Sequence, residues 1–177
     1  MNNPTLAPAD WVDEALRRFE KPLLRYAASI TGDVERARDV VQETFLKLCE
    51  ADRAALDDHL APWLYTVTRN RALNVRKKEA RMAPLLEGQA DTLSNGKAGP
   101  GEVAVLNETH HLVAQALERL PHNQQEACRL TFHNGLTYRE ISQVMGVSLG
   151  TVSNLIAEGL DAIRLQLRAT LTPAQEN

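Results

Sequence analysis

Apolar side chains recur at spacings of three and four along most of this chain, the period of helices that bury one face. Val12, Leu16, Phe19, Leu23, Ala27 and Ile30 predict a helix beginning after Asp10, which Pro22 is expected to bend or interrupt. Gly32 and Asp33 end that helix and cap the next, whose buried stripe is Ala37, Val41, Phe45 and Leu48 with Val40 beside it. Its opposite face carries Asp39, Gln42, Glu43 and Lys47. A polar, acidic connection over Ala51 to Ala61 then leads to Pro62, which suits the first turn of a third helix reaching Met82.

From Ala83 to Val105 the helical period is lost, and Gly88, Gly96, Gly99 and Gly101 fall among Pro84 and Pro100, the composition of a flexible linker. Periodicity returns with Leu106, Val113, Leu117 and Leu120, stopped by Pro121, and a further helix is predicted from Asn123 to His133 with Gly135 as its stop. Thr137 and Glu140 form a Thr-x-x-Glu capping box opening a short helix from Tyr138 to Met145. After the turn at Gly146 and Val147, Ser148 caps a last helix with Leu149, Val152, Ile156, Leu160, Ile163 and Leu167 on one face. A short helix, a glycine turn and a second amphipathic helix make a helix-turn-helix. The expected fold class is all-α, with two small helical domains over residues 10–82 and 106–170 joined by a flexible linker over 83–105.

The length of 177 residues and a hydrophobic share of 44% allow two such domains, each with a core of its own. A net charge of −3 and a pI near 6.0 lack the overall basic signature of many nucleic-acid binders. The distribution changes that picture. Between Pro62 and Met82, Arg69, Arg71, Arg76, Lys77, Lys78 and Arg81 face Glu79 alone, a local charge of +5 that leaves −8 for the rest of the chain. Arg69 with Arg76, and Arg71 with Lys78, are seven residues apart and nearly in line, so they can follow a phosphate backbone, while Asn70 and Asn74 can reach base edges. Trp63 and Tyr65 just ahead suit unstacked bases, although for Trp63, which follows Pro62 at the start of the helix, core packing is an equal alternative.

Other chemistries are excluded more simply. Cys49 and Cys128 share no disulfide or zinc spacing, which fits a reducing cytoplasm, and the histidines, including His110, His111, His122 and His133, have no metal-ligand spacing. No apolar run approaches the roughly 20 residues that span a bilayer, and Met1 to Pro8 lacks the regions of a signal peptide, so no membrane insertion is expected. No nucleophile elbow, phosphate-binding glycine loop or HExxH motif is present, so the protein is not expected to be an enzyme or to need a cofactor or metal.

The segments GDVERARDVVQETFLKL (32–48) and APWLYTVTRNRALNVRKKEAR (61–81) resemble regions 2.2 to 2.4 of bacterial sigma-70 family factors of the extracytoplasmic-function group. ALERLPHNQQEACRLTFHNGLTYREISQVMGVSLGTVSNLI (116–156) resembles region 4 of the same group. The resemblance implies a cytoplasmic factor that binds core RNA polymerase, recognises promoter DNA near −10 and −35, opens the duplex and is held by an anti-sigma protein. It implies polymerase docking through Asp39, Gln42, Glu43 and Lys47, and −10 contacts from Arg69, Asn70, Arg71, Asn74, Arg76, Lys77, Lys78 and Arg81. For the −35 element it implies Arg139, Ser148, Thr151, Ser153, Asn154 and Leu155, the last for a thymine methyl. The group's pocket for an extruded base lies over Ala51 to Leu60, here acidic through Asp52, Asp57 and Asp58, and no pocket residue is assigned.

The chain departs from the group in its last helix. Where Lys and Arg are usual, it has Ser153, Leu155, Ala157 and Glu158, and no Lys or Arg occurs between Glu140 and Arg164. Either this helix reads DNA through neutral hydrogen bonds or its face serves a protein partner. The alternative function is accordingly a two-module interaction protein that uses the helix-turn-helix as a scaffold.

Overall fold

The computed structural model of the protein describes residues 8–56, 58–82 and 104–171. Asp57, most of the expected linker, the first seven residues and the side chain of Leu106 lie outside the described residues. Among the described residues there are eight helices and no strand: α1 (Pro8–Thr31), α2 (Val34–Glu50), α3 (Arg53–Leu56), α4 (Leu60–Met82), α5 (Ala104–Glu118), α6 (His122–Phe132), α7 (Tyr138–Met145) and α8 (Leu149–Leu171). They form two compact units, one built on α1, α2 and α4 and the other on α5, α6 and α8.

In the first unit α1 continues through Pro22, so of the bend or interruption expected there the interruption does not occur. Proline removes the donor for the Arg18 carbonyl, a loss of about 3 kcal/mol or more in an isolated helix interior. Here both halves are anchored by packing, Trp11, Ala15 and Phe19 before the proline and Leu23, Tyr26, Ala27 and Ile30 after it, all buried. The aromatic rings set the buried row, and Leu16, expected within it, is exposed beside it. Gly32 takes a left-handed φ of 77°, and the Asp33 carboxylate accepts the Arg36 N–H at 2.8 Å as the cap of α2. The acidic connection contains the short α3, whose Leu56 is buried and whose Arg53 guanidinium lies 5.9 Å from the Trp11 ring centroid.

Two buried threonines, both absent from the sequence-based core, pin α2 to α4. Thr44 donates to the Val40 carbonyl at 2.8 Å, which uses its one proton, so Thr68 is the donor of the 3.2 Å bond to Thr44. Both hydroxyls are thereby satisfied without water.

In the second unit, Ala116, Leu117 and Leu120 of the α5 end, Ala127, Cys128 and Leu130 of α6, and Val152 and Ile156 of α8 are buried. Val113 and Leu149, expected on buried stripes, are exposed, and Leu160, Ile163 and Leu167 are half-buried. Helix α5 begins at Ala104, two residues inside the expected linker. Arg129 of α6 reaches Glu118 of α5 at 3.7 Å; burial lowers the arginine pKa, and the carboxylate opposes that shift. The predicted capping box is complete: the Thr137 hydroxyl accepts the Glu140 N–H at 3.3 Å and the Glu140 carboxylate accepts the Thr137 N–H at 2.7 Å. Gly146, at φ 68°, ends α7, and Ser148 caps α8 by accepting the Thr151 N–H at 3.1 Å.

Gly159 sets how closely α8 approaches α6. A Cβ there would stand 2.8 Å from the Cys128 sulfur and 3.4 Å from a Leu120 methyl. Burial also raises the Cys128 thiol pKa, which keeps it an uncharged packing group. Gly159→Ala should therefore lower stability by about 1–3 kcal/mol, because overpacking outweighs the gain in helix propensity. Urea denaturation would measure it, and the same change made in a Cys128→Ala background should cost less; equal losses would mean that this contact is not the cause.

Candidate nucleic-acid and polymerase interfaces

Helix α4 carries its charge unevenly around its axis. Leu64, Tyr65, Thr68 and Ala72 are buried, and Asn70, Asn74, Lys77, Lys78 and Arg81 are all exposed. At about 100° per residue these five fall within roughly a third of the helix circumference, opposite the buried row. The expected seven-residue spacing keeps Arg69 near Arg76 and Arg71 near Lys78, and the outward row runs between these two alignments, taking only Lys78 from them. Arg69 is half-buried and Arg76, although exposed, lies on the same flank as Arg69, while Arg71 lies on the other flank.

Two ion pairs explain this sorting. Glu79, the single acid of α4, turns to Arg36 of α2 at 2.7 Å, away from the outward row. Arg71 turns to Glu43 of α2, leaving its Nε buried and without a partner. Half-exposed pairs of this kind contribute little stability, typically below about 1 kcal/mol, but they decide which charges remain on the outer face. The result is an amide and cation row with no carboxylate of its own helix in it, suited to phosphates and base edges.

Tyr65 is only 1% exposed, with its ring edge-on to Tyr26 at 5.3 Å between centroids. The sequence alone offers this ring to unstacked bases; the structure places it in the core instead. Trp63 is half-buried.

On α2, Asp39, Gln42, Glu43 and Lys47 are exposed on one face, opposite Ala37, Val40, Val41, Thr44, Phe45 and Leu48. Sequence reasoning passed over Leu46, which stands among them at 58% exposure. Its signal was available: an apolar residue seven positions after Asp39 on an otherwise polar face. An apolar residue ringed by polar groups is a composition that a protein-binding surface can use. Glu43 is shared between this face and Arg71.

In the second unit Arg139, Ser148, Thr151, Ser153 and Asn154 are exposed, while Leu155 is half-buried. Ser148 and Thr151 are engaged with each other at 2.8 Å between hydroxyls, so their first task is capping. Ser153 and Asn154 project from the exposed side of α8, and one turn beyond Asn154 comes Glu158, whose carboxylate accepts a hydrogen bond from Gln124 Nε2 of α6 at 2.9 Å. Among the described residues no group of three His, Cys, Asp or Glu side chains could hold a metal ion, and no helix is long and apolar enough to cross a membrane.

Comparison with known proteins bears on both units. The family described as Sigma-70 region 2 matches residues 15–82, and that described as Sigma-70, region 4 matches residues 116–165. The chain is 33% identical over 138 residues to the ECF RNA polymerase sigma factor EcfG of Rhodopseudomonas palustris, covering 76% of this chain and 74% of that one. It is 31% identical over 150 residues to the ECF RNA polymerase sigma factor SigL of Mycobacterium tuberculosis, covering 82% of each. Among solved structures, it matches the sigma factor RpoE in complex with the anti-sigma factor NepR from Bartonella quintana with a TM-score of 0.62 at 21% identity, over 88% of this chain and 96% of that one. CnrH, solved in complex with the cytosolic domain of CnrY, matches with a TM-score of 0.59 at 20% identity, over 89% and 88%.

Proposed function

Since the chain belongs to the ECF RNA polymerase sigma factors, with sigma-70 regions 2 and 4 and a role in directing transcription, we propose a division of that work between its two units. Residues 10–82 bind core RNA polymerase through the α2 face of Asp39, Gln42, Glu43, Leu46 and Lys47. The same unit engages −10 DNA through the outward row of α4, Asn70, Asn74, Lys77, Lys78 and Arg81, with Arg69, Arg71 and Arg76 at its flanks. Residues 106–170 read the −35 element through Arg139 and the exposed side of α8. The work is binding and positioning in the cytoplasm, where the polymerase is, with no bond made or broken by the sigma factor itself. An anti-sigma protein is the expected negative regulator, as the relatives solved with NepR and CnrY suggest.

The observation that carries this reading is the sorting of charge on α4, where Glu79 and Arg71 turn to α2 and leave a row of amides and cations facing outward. The test is reconstitution with core polymerase followed by promoter-dependent transcription in vitro and mapping of RNA 5′ ends. Joint Asp39→Lys and Leu46→Ala changes should weaken core binding at least about tenfold by losing a charge match and an apolar anchor. Holoenzyme formed at saturating concentrations of that variant should still open the promoter; unchanged core affinity would remove α2 from the interface.

Leu149, at 54% exposure, favours a second reading for α8 alone, in which its face docks a protein. Mapped promoters that share a −10 motif but no upstream element would support that reading.

A further inference from the structure

We infer that Glu158, held by Gln124, is a base-reading residue that selects cytosine in the upstream promoter element. The inference rests on the proposal that α8 reads DNA. Glu158 is exposed and stands one helical turn beyond Asn154 on the same side of α8, opposite the buried Val152 and Ile156. Side chains four apart on a helix lie about 5–6 Å from each other. Successive bases on a strand are about 3.4 Å apart along the duplex axis, so these two residues address neighbouring bases.

The carboxylate is not a loose surface charge. Gln124 Nε2 donates to one of its oxygens at 2.9 Å from a different helix. Gln124 lies on α6, which α8 approaches closely at the next residue, Gly159, where a Cβ would stand 2.8 Å from the Cys128 sulfur. The clamp is a neutral amide, whereas Asp161 on the same helix is paired with the Arg164 guanidinium at 2.8 Å. A fixed, uncompensated carboxylate repels phosphate. In a major groove it has one favourable kind of partner, an exocyclic amine, and cytosine is the base that presents an amine there and no acceptor of its own. Adenine N6 is flanked by the N7 lone pair, and guanine and thymine present acceptors at that edge. Oriented acidity on the otherwise uncharged first three turns of α8 thus becomes selectivity for cytosine.

The test is binding of reconstituted holoenzyme to promoter duplexes whose upstream element, taken from mapped start sites, is varied one base pair at a time. Wild type should prefer cytosine at one position by roughly tenfold. Glu158→Ala should erase that preference and leave the others, and Gln124→Ala should weaken it at the same position. Glu158→Gln should move it toward adenine, which an amide can bind through N6 and N7 together. Uniform tightening of all duplexes by Glu158→Ala, with every preference intact, would overturn the inference by showing a carboxylate that only repels. So would wild-type discrimination confined to positions insensitive to Glu158. If no base pair of the upstream element matters to wild type, it is the proposal that α8 reads DNA which fails, and the inference falls with it.

Discussion

Replacing Lys77, Lys78 and Arg81 together with alanine should weaken promoter binding by the holoenzyme on the order of a hundredfold at about 0.1 M salt, and promoter opening with it. The three are exposed on the outward row of α4, away from the core. Each phosphate contact removed lowers the salt dependence as well: the slope of log K against log salt should fall by about 2–3, at roughly 0.7–0.9 per contact. Core polymerase binding should be unchanged, because the row lies on a different helix from Asp39, Gln42 and Leu46. Stability should shift little, since exposed substitutions away from special features usually stay within about 0.5 kcal/mol. A filter-binding salt titration of variant and wild-type holoenzyme measures all of this; equal slopes would mean that this row does not touch phosphate.

Tyr65→Ala should produce the other large effect, by a different route. Removing a large aromatic from a packed core costs about 3–5 kcal/mol, a large part of the stability of a small domain. Tyr65 sits in such a core, edge-on to Tyr26. Transcription should therefore fall in proportion to the fraction of folded protein followed by thermal denaturation, and cooling should restore it. If Tyr65 stacked on an unpaired base, a variant folded as fully as wild type would instead fail at promoter opening, and that result would return the residue to the DNA site.

Much of this molecule is visible in one sequence because helices bury single faces, and their period survives in the apolar positions. The capping box at Thr137 and Glu140, the cap at Asp33 and the turn at Gly146 are local chemistry, complete within a few residues, and the structure has each where the residues place it. The expectations that failed depend on neighbours far along the chain. Pro22 does not interrupt α1, because packing on both sides of it outweighs a missing hydrogen bond. Leu16, Val113 and Leu149 fit the period yet are exposed, since period alone leaves the centre of a stripe uncertain by about one residue and neighbouring helices choose it.

The same division holds for the candidate sites. By itself the sequence determined that α4 is basic, that α8 lacks cations over its first four turns, and which family both belong to, because charge and motif are properties of composition and order. Only the tertiary structure decided which charges face outward. Arg71 and Glu43 are 28 positions apart, and Arg36 and Glu79 are 43 apart, so no local pattern announces either pair. They meet because α2 and α4 pack around Thr44 and Thr68, and Gln124 meets Glu158 because Gly159 lets α8 close on α6. Pairing of charges and amides between helices depends on packing in three dimensions, and it separates the residues that build this protein from those left to meet its partners.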